Sequence, residues 1–389
     1  MRSTSGESLV GFAGGCCRQI GKMTTIKWPG HLVLKAGALA ISALCFAQAS
    51  AEAHHYPDRP IHLVVPYPAG GGADHWGRLV AAKLAERLGQ PIIIDNVPGK
   101  GGNDGTALAA KAAPDGYTLL LGSIGPLVVH QFTYPSLQFD PERDFVPIAL
   151  LESSPMLLVA AASAPVASAR ELIDLARAQP GNLSYASNGN GSPEQVAGEV
   201  FKSRLRIDLH HIPYDGAGPA RKAVLGGQAA LMFDPCKGAL PGIREGLQKP
   251  LAVAAANRLT SLPQVPTFAE VGLPDYELRI WTGILAPAGT PTAIVSTLNE
   301  VVQGIVRSAD IKTEIAEEGG QAGATTPQSF AAFIKSERRR WSALVRESGV
   351  SRSSSGTPIV RDTDSGQRRG TNNPDAPENS ELALIEREH

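Results

Sequence analysis

Short apolar runs alternate with amphipathic helical patterns from about Tyr56 to Val350, and this alternation restricts the fold more than any other feature of the chain. Each apolar run has the length of a single strand, and a helical segment separates most runs from the next. Since strand–helix–strand order favours parallel sheets with right-handed crossovers, the sequence predicts an α/β fold. The stretch from about 157 to 280 has its own alternation, which indicates two α/β lobes.

These patterns also give the bounds of the predicted elements. The predicted strands are Ile61–Pro66, Pro91–Asp95, Tyr117–Gly122, Leu157–Ala162, Leu183–Ser187, Asp208–Tyr214, Ala229–Asp234 and Pro250–Ala255. The predicted helices are Asp74–Leu88, Asn103–Ala112, Ala169–Ala178, Pro193–Lys202, Pro219–Leu225, Pro291–Val306 and Pro327–Ser348. We infer that the last two helices return to pack on the first lobe.

The segment that begins at Met23 has the pattern of a secretory signal peptide. Lys27 and Lys35 flank an apolar run over 36–47, and alanines at 47, 49, 51 and 53 offer cleavage sites. The run is too short to span a membrane, which takes about 20 apolar residues; a buried or anchoring helix is the alternative. We therefore predict an upstream extension and signal peptide over 1–53, and a periplasmic location.

Composition bounds the partners of the exported chain. Lys and Arg number 36 against 37 Asp and Glu, a net charge of -1, so no global field attracts nucleic acid or an anionic membrane. Three of the four cysteines fall within the first 53 residues, which leaves Cys236 alone and excludes an internal disulfide. Residues 351–389 are polar and rich in Gly and Pro, and we predict that this tail is disordered.

The run "PYPAGGGADHWGRLV" joins the end of a strand to a helix through a glycine-rich turn. Glycine lets a ligand come close to the backbone, and the first N–H groups of a helix have no internal partner. A phosphate or a carboxylate fits such a turn equally well. The candidate ligand-binding residues here are Tyr67, Pro68, Ala69, Gly70, Gly71, Gly72 and Asp74.

A second turn of this kind lies in "LSYASNGNGSPEQVAGEVF". Ser192 is a suitable N-cap, Pro193 fits the first helical position, and Gln195 completes an S-x-x-Q capping box. The charge of Glu194 would oppose an anion, and we expect this side chain to face solvent. Its candidate ligand-binding residues are Ser187, Asn188, Gly189, Asn190, Gly191 and Ser192, whose hydroxyls and amides suit a planar carboxylate.

Each turn alone is equally compatible with ordinary α/β scaffolding. Together they occupy matching positions, because the carboxyl ends of parallel strands meet at one edge of a sheet. Two further candidates stand at strand ends: Ser123, and Asp234, for which an N-cap or turn role is an equal alternative. If the two edges face each other, a small anion is held from both sides.

Other motifs give no support to catalysis. There is no G-x-S-x-G elbow, and adjacent histidines on a strand point to opposite sides, so neither a hydrolase nucleophile nor a metal site is indicated. The run "PGKGG" at 98–102 lacks the spacing of a phosphate loop, and we do not assign it to the site. We predict no cofactor and no metal.

Several segments resemble the Bug family, the extracytoplasmic solute receptors of tripartite tricarboxylate transporters. The resemblance is carried by "YPDRPIHLVVPYPAGGGAD", "GKGGNDGTALAAKAAPDGYTLLLG", "LSYASNGNGSPEQVAGEVF" and "HIPYDGAGPARKAVLGGQAALMFD", and continues to "AAFIKSERRRWSALVRESGV". After "MFD" the chain departs from the family pattern, and Lys237 adds a cation there.

The resemblance implies a two-lobed α/β periplasmic binding protein of the type II, Venus-flytrap kind, with the ligand cleft between its lobes. Lobe one would comprise 54–156 plus 285–350, and lobe two 157–284. The ligand would be a small organic anion, namely a di- or tricarboxylate, an acidic amino acid or an aromatic carboxylate. We expect a monomer that serves membrane permease subunits or a sensor protein, or that only signals. The alternative is an exported α/β enzyme acting on a carboxylate.

Overall fold

The computed structural model describes residues 56–317 and 319–351 and the backbone of 359–360. The predicted extension and signal peptide over 1–53 lie outside the described residues, as does most of the predicted tail over 351–389. Within that tail the backbone of Ile359–Val360 pairs with Val350–Ser351 as a two-residue antiparallel ladder. This short pairing is an exception to the predicted disorder.

Most of the predicted strands and helices are present with ends shifted by a few residues. The strands are β1 Ile61–Val65, β2 Ile92–Asn96, β3 Thr118–Ser123, β4 Phe145–Ala161, β5 Ser184–Ser187, β6 His210–Pro213, β7 Leu231–Pro235, β8 Gln248–Val253, β9 Arg279–Pro287, β10 Gln321–Ala322, β11 Val350–Ser351 and β12 Ile359–Val360. The helices are α1 Gly72–Leu88, α2 Asn103–Ala110, α3 His130–Thr133, α4 Ala169–Ala178, α5 Pro193–Leu205, α6 Ala217–Leu225, α7 Cys236–Arg244, α8 Thr292–Val306, α9 Ala309–Glu317 and α10 Pro327–Ser348.

The first sheet has the strand order β2-β1-β3-β9-β4. Strand β1 lies parallel to β2 and β3, as the alternation predicts, whereas β9 runs antiparallel to both β3 and β4. The sheet is therefore mixed, and the prediction of a parallel sheet is correct only for its outer half. Strand β9 was not predicted from the sequence. Because it lies between β3 and β4 and runs antiparallel to both, it makes the sheet mixed.

The long strand β4 belongs to two sheets. From Phe145 to Pro155 it pairs with β9, and from Met156 onward it pairs with β7 and β8. The second sheet continues from β7 to β5 and β6, which are parallel to one another. One continuous strand thus carries the chain from the first sheet into the second.

Two hydrophobic cores follow from these sheets. On β1, Ile61, Leu63 and Val65 enter one core with α1 and α8, while Val64 points to the opposite face and joins the other. This alternation is what a strand buried on both faces requires. The second and larger core contains an aromatic group around Phe233, whose other members are Phe201, Phe268 and Tyr276.

The two long C-terminal helices pack differently from each other. Helix α8 enters the core of the first sheet, as inferred from the sequence. Helix α10 instead contributes Phe330 and Trp341 to the larger core, and Glu347 forms an ion pair with Arg204 of α5 at 2.6 Å. Helix α10 also contacts the first lobe, through Trp281 and the carbonyl of Leu127, so the inferred packing on that lobe is accompanied by contacts with the second.

Gly198 of α5 is placed where the helix lies directly on the ring of Tyr185. A Cβ at this position would come within 2.4 Å of Tyr185 Cε2. We expect Gly198→Ala to lower the free energy of unfolding by about 2 kcal/mol, because the buried ring has no space in which to retreat. Urea denaturation measures this loss.

The matched control is Gly304→Ala in α8, where the added methyl meets only the flexible end of Arg87. There the higher helix propensity of alanine should leave stability unchanged or raise it by up to about 1 kcal/mol. Equal losses at the two sites would contradict the packing argument.

Candidate functional site

The loops at the carboxyl ends of five strands surround one cavity of about 360 Å³. These loops follow β1, β2 and β3 in the first sheet and β5 and β6 in the second. Carboxyl ends of parallel strands are where α/β proteins usually bind ligands. Thr133, in the segment after β3, connects the two groups of loops, because its Oγ1 donates a hydrogen bond to the carbonyl of Gly191 in the loop after β5 at 2.9 Å.

The cavity brings together some of the candidate residues and leaves others outside. Those that line it are Tyr67, Pro68, Ser123, Asn188, Asn190 and Ser192. Those that do not are Ala69, Gly70, Gly71, Gly72, Asp74, Ser187, Gly189, Gly191 and Asp234. Both predicted turns therefore contribute to the wall, but the triple glycine itself lies beyond it.

Asp74 holds the first turn in place. Its Oδ2 accepts hydrogen bonds from Gly70 N–H and Arg78 Nε, both at 2.9 Å, and its Oδ1 accepts one from Asn96 Nδ2 at 3.0 Å. The hydrogen bond from Arg78, aided by those from Gly70 and Asn96, keeps the pKa of Asp74 below its usual value. The carboxylate is thus fully used in bracing the turn against β2.

Tyr67 and Ser123 form the floor of the first-lobe side. Their hydroxyl oxygens lie 2.7 Å apart, which joins the end of β1 to the end of β3. Burial raises the pKa of Tyr67 to about 12, so that its hydroxyl stays neutral and can donate a hydrogen bond. These two positions were predicted from the sequence because both stand where a strand ends.

His130 lies beside this pair, after a single π-helical turn over Gly125–Val129. Burial lowers its pKa to about 3, so the ring is neutral, and Nδ1 lies 2.8 Å from Asn103 Oδ1. This contact places the ring proton on Nδ1 and leaves Nε2 as an acceptor. His130 was not predicted, because it stands seven residues beyond β3 and carries no motif.

The "PGKGG" run, which we did not assign to the site, lines the cavity with Pro98, Gly99, Lys100, Gly101 and Gly102. Gly101 has a φ of 67° and approaches His130 so closely that a Cβ there would lie 2.9 Å from Cε1. The phosphate-loop consensus is absent, yet the order strand, glycine turn, helix is the same as in the other two turns. That order was the signal that could have identified this loop.

In the second lobe Ser192 caps α5 as expected, whereas Gln195 reaches the N–H of Gly191 rather than that of Ser192. Ser192 Oγ accepts the N–H of Gln195 at 3.2 Å, and Gln195 Oε1 accepts the N–H of Gly191 at 2.6 Å. Pro193 occupies the first helical position. These local bonds hold the loop rigidly at the cavity wall.

Ser187 makes a contact that the sequence did not indicate. Its Oγ lies 2.7 Å from Nε2 of His211, which is the distance of a nucleophile and its base. Ser187 is 0% exposed, however, and does not line the cavity. Burial lowers the pKa of His211 to about 4. The pair therefore ties β5 to β6, and neither of its residues lines the cavity of the candidate site.

Glu194 contradicts the expectation that it faces solvent. The residue is 4% exposed and forms part of the cavity wall. It occupies the second position of α5, directly after Pro193. Burial raises the pKa of Glu194 to about 7. The direction of the Glu194 side chain depends on how the two lobes meet. This contact cannot be inferred from the local sequence pattern.

Asp234 is engaged within its own lobe. Arg221 of α6 donates from Nε to Oδ2 at 2.8 Å and from Nη2 to Oδ1 at 2.9 Å, a two-pronged ion pair with a fully buried carboxylate. Neither the N-cap alternative nor a direct ligand contact describes this arrangement. A contact between Asp234 and a ligand requires Arg221 to move away, and that role stays a prediction.

The described part of the chain contains neither a grouping of metal-ligand side chains nor a helix suited to a membrane. Over 56–317 and 319–351, no three His, Cys, Asp or Glu side chains are grouped closely enough to hold a metal ion. None of the helices in these ranges combines the length and the apolar character that crossing a membrane requires.

Comparison with known proteins places the chain in a family. The profile of the tripartite tricarboxylate transporter family receptor matches residues 77–350. BugT of Bordetella pertussis (strain Tohama I) is 36% identical over 303 residues, covering 78% of this chain and 93% of BugT.

Two solved structures from Rhodopseudomonas palustris extend the comparison. One, with adipate, is 34% identical with a TM-score of 0.74, and covers 76% of this chain and 99% of its own. The other, MatC with bound malate, is 35% identical with a TM-score of 0.70, and covers 75% and 100%.

A two-lobed α/β binding protein is therefore the class that the fold and the cavity define, and the predicted fold is confirmed by solved periplasmic binding proteins. The chain belongs to the receptor family of the tripartite tricarboxylate transporters. The resemblance to the Bug family is confirmed as well.

Proposed function

We propose that this protein is an extracytoplasmic receptor that captures a small organic carboxylate, without chemical change, for a tripartite tricarboxylate-type permease or a sensor protein. The observation that carries the proposal is the single cavity walled by carboxyl-end loops of both lobes. A ligand in such a cavity contacts both lobes only when they are closed, so binding favours the closed form. The relatives with adipate and malate support a carboxylate as the ligand class.

The cavity also supports a small ligand. Its volume of about 360 Å³ lies near the lower end of the range for ligand pockets. Tyr67, Ser123, Asn190 and Ser192 supply hydroxyl and amide groups around it. We propose that Tyr67, Ser123 and Asn190, with the backbone of 99–102, hold the carboxylate.

The boundaries of the lobes and the location of the protein are part of the same proposal. Strand β9 pairs along its whole length within the first sheet, so we place the return to lobe one near Leu278 rather than at 284. We further propose export to the periplasm by the segment over 1–53, and a monomer in solution.

The alternative, an exported enzyme, has less support. The serine–histidine pair near the site, Ser187 with His211, has a buried serine, and neither residue lines the cavity. Recovery of unchanged ligand after prolonged incubation with the protein would support the receptor, and conversion of the ligand would support the enzyme.

The proposal predicts that a carboxylate stabilises the purified protein. Citrate, succinate, aspartate and benzoate are to be added at concentrations up to several millimolar while the melting temperature is recorded. A ligand present at 100 times its Kd should add about 2.7 kcal/mol, equivalent to an increase of roughly 5–10 °C. The uncharged diamide of succinate is the control ligand. The absence of any increase across the panel would contradict the proposal.

A further inference from the structure

Glu194, a lining residue of the cavity, carries a buried acceptor atom that the protein itself leaves unsatisfied. Its Oε2 is buried and has no hydrogen-bond partner among the described residues. The Oδ1 of Asn188, another lining residue, is in the same condition. A buried polar atom without a partner costs free energy unless a ligand or water supplies the missing bond. Asn188 Oδ1 requires a donor, and so does Glu194 Oε2 whenever the carboxyl group is ionised.

The N-terminus of α5 does not offer a second anion site beside Glu194. Gln195 Oε1 takes the N–H of Gly191, Ser192 Oγ takes that of Gln195, and Pro193 has none. Burial raises the pKa of Glu194, and hydrogen bonding from its own N–H and from Ser192 lowers it in part. This helix end, which would otherwise attract a ligand carboxylate, already holds an anion from its own chain.

The other charges of the cavity do not neutralise Glu194. Its lining includes a second carboxylate, Asp215, and one cation, Lys100, whose side chain is 63% exposed and lies 3.5 Å from Asp104. The charged and titratable groups that act on Glu194 or share its cavity are Tyr67, Lys100, His130, Tyr134, Asp215, Arg221 and Asp234. Of these, Arg221 is committed to Asp234 by two hydrogen bonds.

We propose that the ligand of this cavity carries an ammonium group as well as a carboxylate, and that Glu194 Oε2 accepts a hydrogen bond from that ammonium group. The inference rests on the proposed function for the carboxylate half of the ligand and adds the class of its other half. The neutral His130, with Nε2 as an acceptor, belongs to the same set of acceptors on the wall. The ligand class is an amino carboxylate rather than a plain di- or tricarboxylate.

Matched ligand pairs test this assignment by isothermal titration at pH 8. The pairs are aspartate with succinate, glutamate with glutarate, and 4-aminobutanoate with butanoate. We expect at least one amino acid to bind about tenfold or more tightly than its partner, the effect of a hydrogen bond to a charged group. Glu194→Gln should remove this preference, because the amide keeps the size of the side chain but not its charge.

The control variant is Glu300→Gln, an exposed glutamate of α8 outside the cavity, which should leave every affinity unchanged. A pH series on the unmodified protein gives a measurement that needs no variant. Because the pKa of Glu194 is raised to about 7, protonation below that pH removes the acceptor charge. The affinity for the amino acid should therefore be full at pH 8 and fall about tenfold or more by pH 5.5.

Three results would overturn the inference. If the plain acids bind as tightly as the amino acids, and more tightly as the pH falls, Glu194 acts as a donor acid and the proposed function stands without the ammonium. If the preference for amino acids survives in Glu194→Gln, the ammonium lies elsewhere. If no acid of either kind binds, the proposed function fails and the inference fails with it.

Discussion

Gly101→Ala is expected to lower both the stability of the protein and its affinity for ligand. Gly101 has a φ of 67°, a conformation that costs an L-residue about 1–2 kcal/mol. The new methyl group would also lie 2.9 Å from His130 Cε1 and 3.2 Å from Tyr134 Oη, both in the cavity wall. We expect a total loss of about 3 kcal/mol in the free energy of unfolding, and a decrease in affinity of about tenfold or more.

Gly89→Ala separates the two causes. Gly89 ends α1 with a φ of 69°, nearly the same as that of Gly101, but a Cβ there has nothing within 4 Å. Gly89→Ala should therefore show only the backbone cost, a decrease of about 1 kcal/mol in the free energy of unfolding, with no change in ligand affinity. Denaturation in urea and titration with a bound carboxylate measure the two quantities on both variants. If the Gly89 and Gly101 variants behave alike, the cavity wall is not formed as described.

Glu194→Gln is expected to stabilise the ligand-free protein at pH 8. The pKa of Glu194 is raised from 4.5 to about 7 by burial, so the folded state retains its proton where the unfolded state has lost it. A carboxyl group shifted in this direction lowers stability as the pH rises from about 4.5 to 7. By linkage, the raised pKa of Glu194 lowers the free energy of unfolding by about 3 kcal/mol above pH 7. The uncharged glutamine does not suffer this loss.

The stability difference should vanish below pH 4.5, where Glu194 is protonated in both states. Glu270 provides a control of the opposite sign, since hydrogen bonds from Arg258 and Thr267 hold its pKa at about 2. Glu270→Gln should therefore weaken the protein at neutral pH and have less effect as the pH falls below 4. A Glu194→Gln variant with no gain in its denaturation midpoint at pH 8 would contradict the burial of the carboxylate.

Local chemistry explains which parts of the fold were predictable. The helix cap around Ser192 and Gln195 forms from residues three apart, so it can be read before any tertiary contact is known. Helix α1 likewise presents Trp76, Val80 and Leu84 to one core. Helix α7 was missed because Pro241 lies inside it and Gly238 near its start, both of which reduce helix propensity.

Contacts between distant segments explain what the sequence could not provide. The first half of β4 includes Pro147 and Pro155, which weaken the strand pattern, and its partner β9 lies more than 120 residues away. In the site, Tyr67 and Ser123 were predictable as strand ends. The inward side chain of Glu194 and the contact of Gly101 with His130 arise only when the loops are brought together.

The passage of β4 through both sheets has a mechanical consequence. The backbone of β4 makes ladder hydrogen bonds on both sides of Pro155. A rotation of one lobe relative to the other therefore has to twist this hydrogen-bonded strand, because β4 has no flexible loop between its two halves. The register slips at 147–149, 150–152 and 158–159 are the places where that strand is already least regular. Opening and closing of the two lobes would then bend and twist β4 elastically, about an axis set by the direction of this strand.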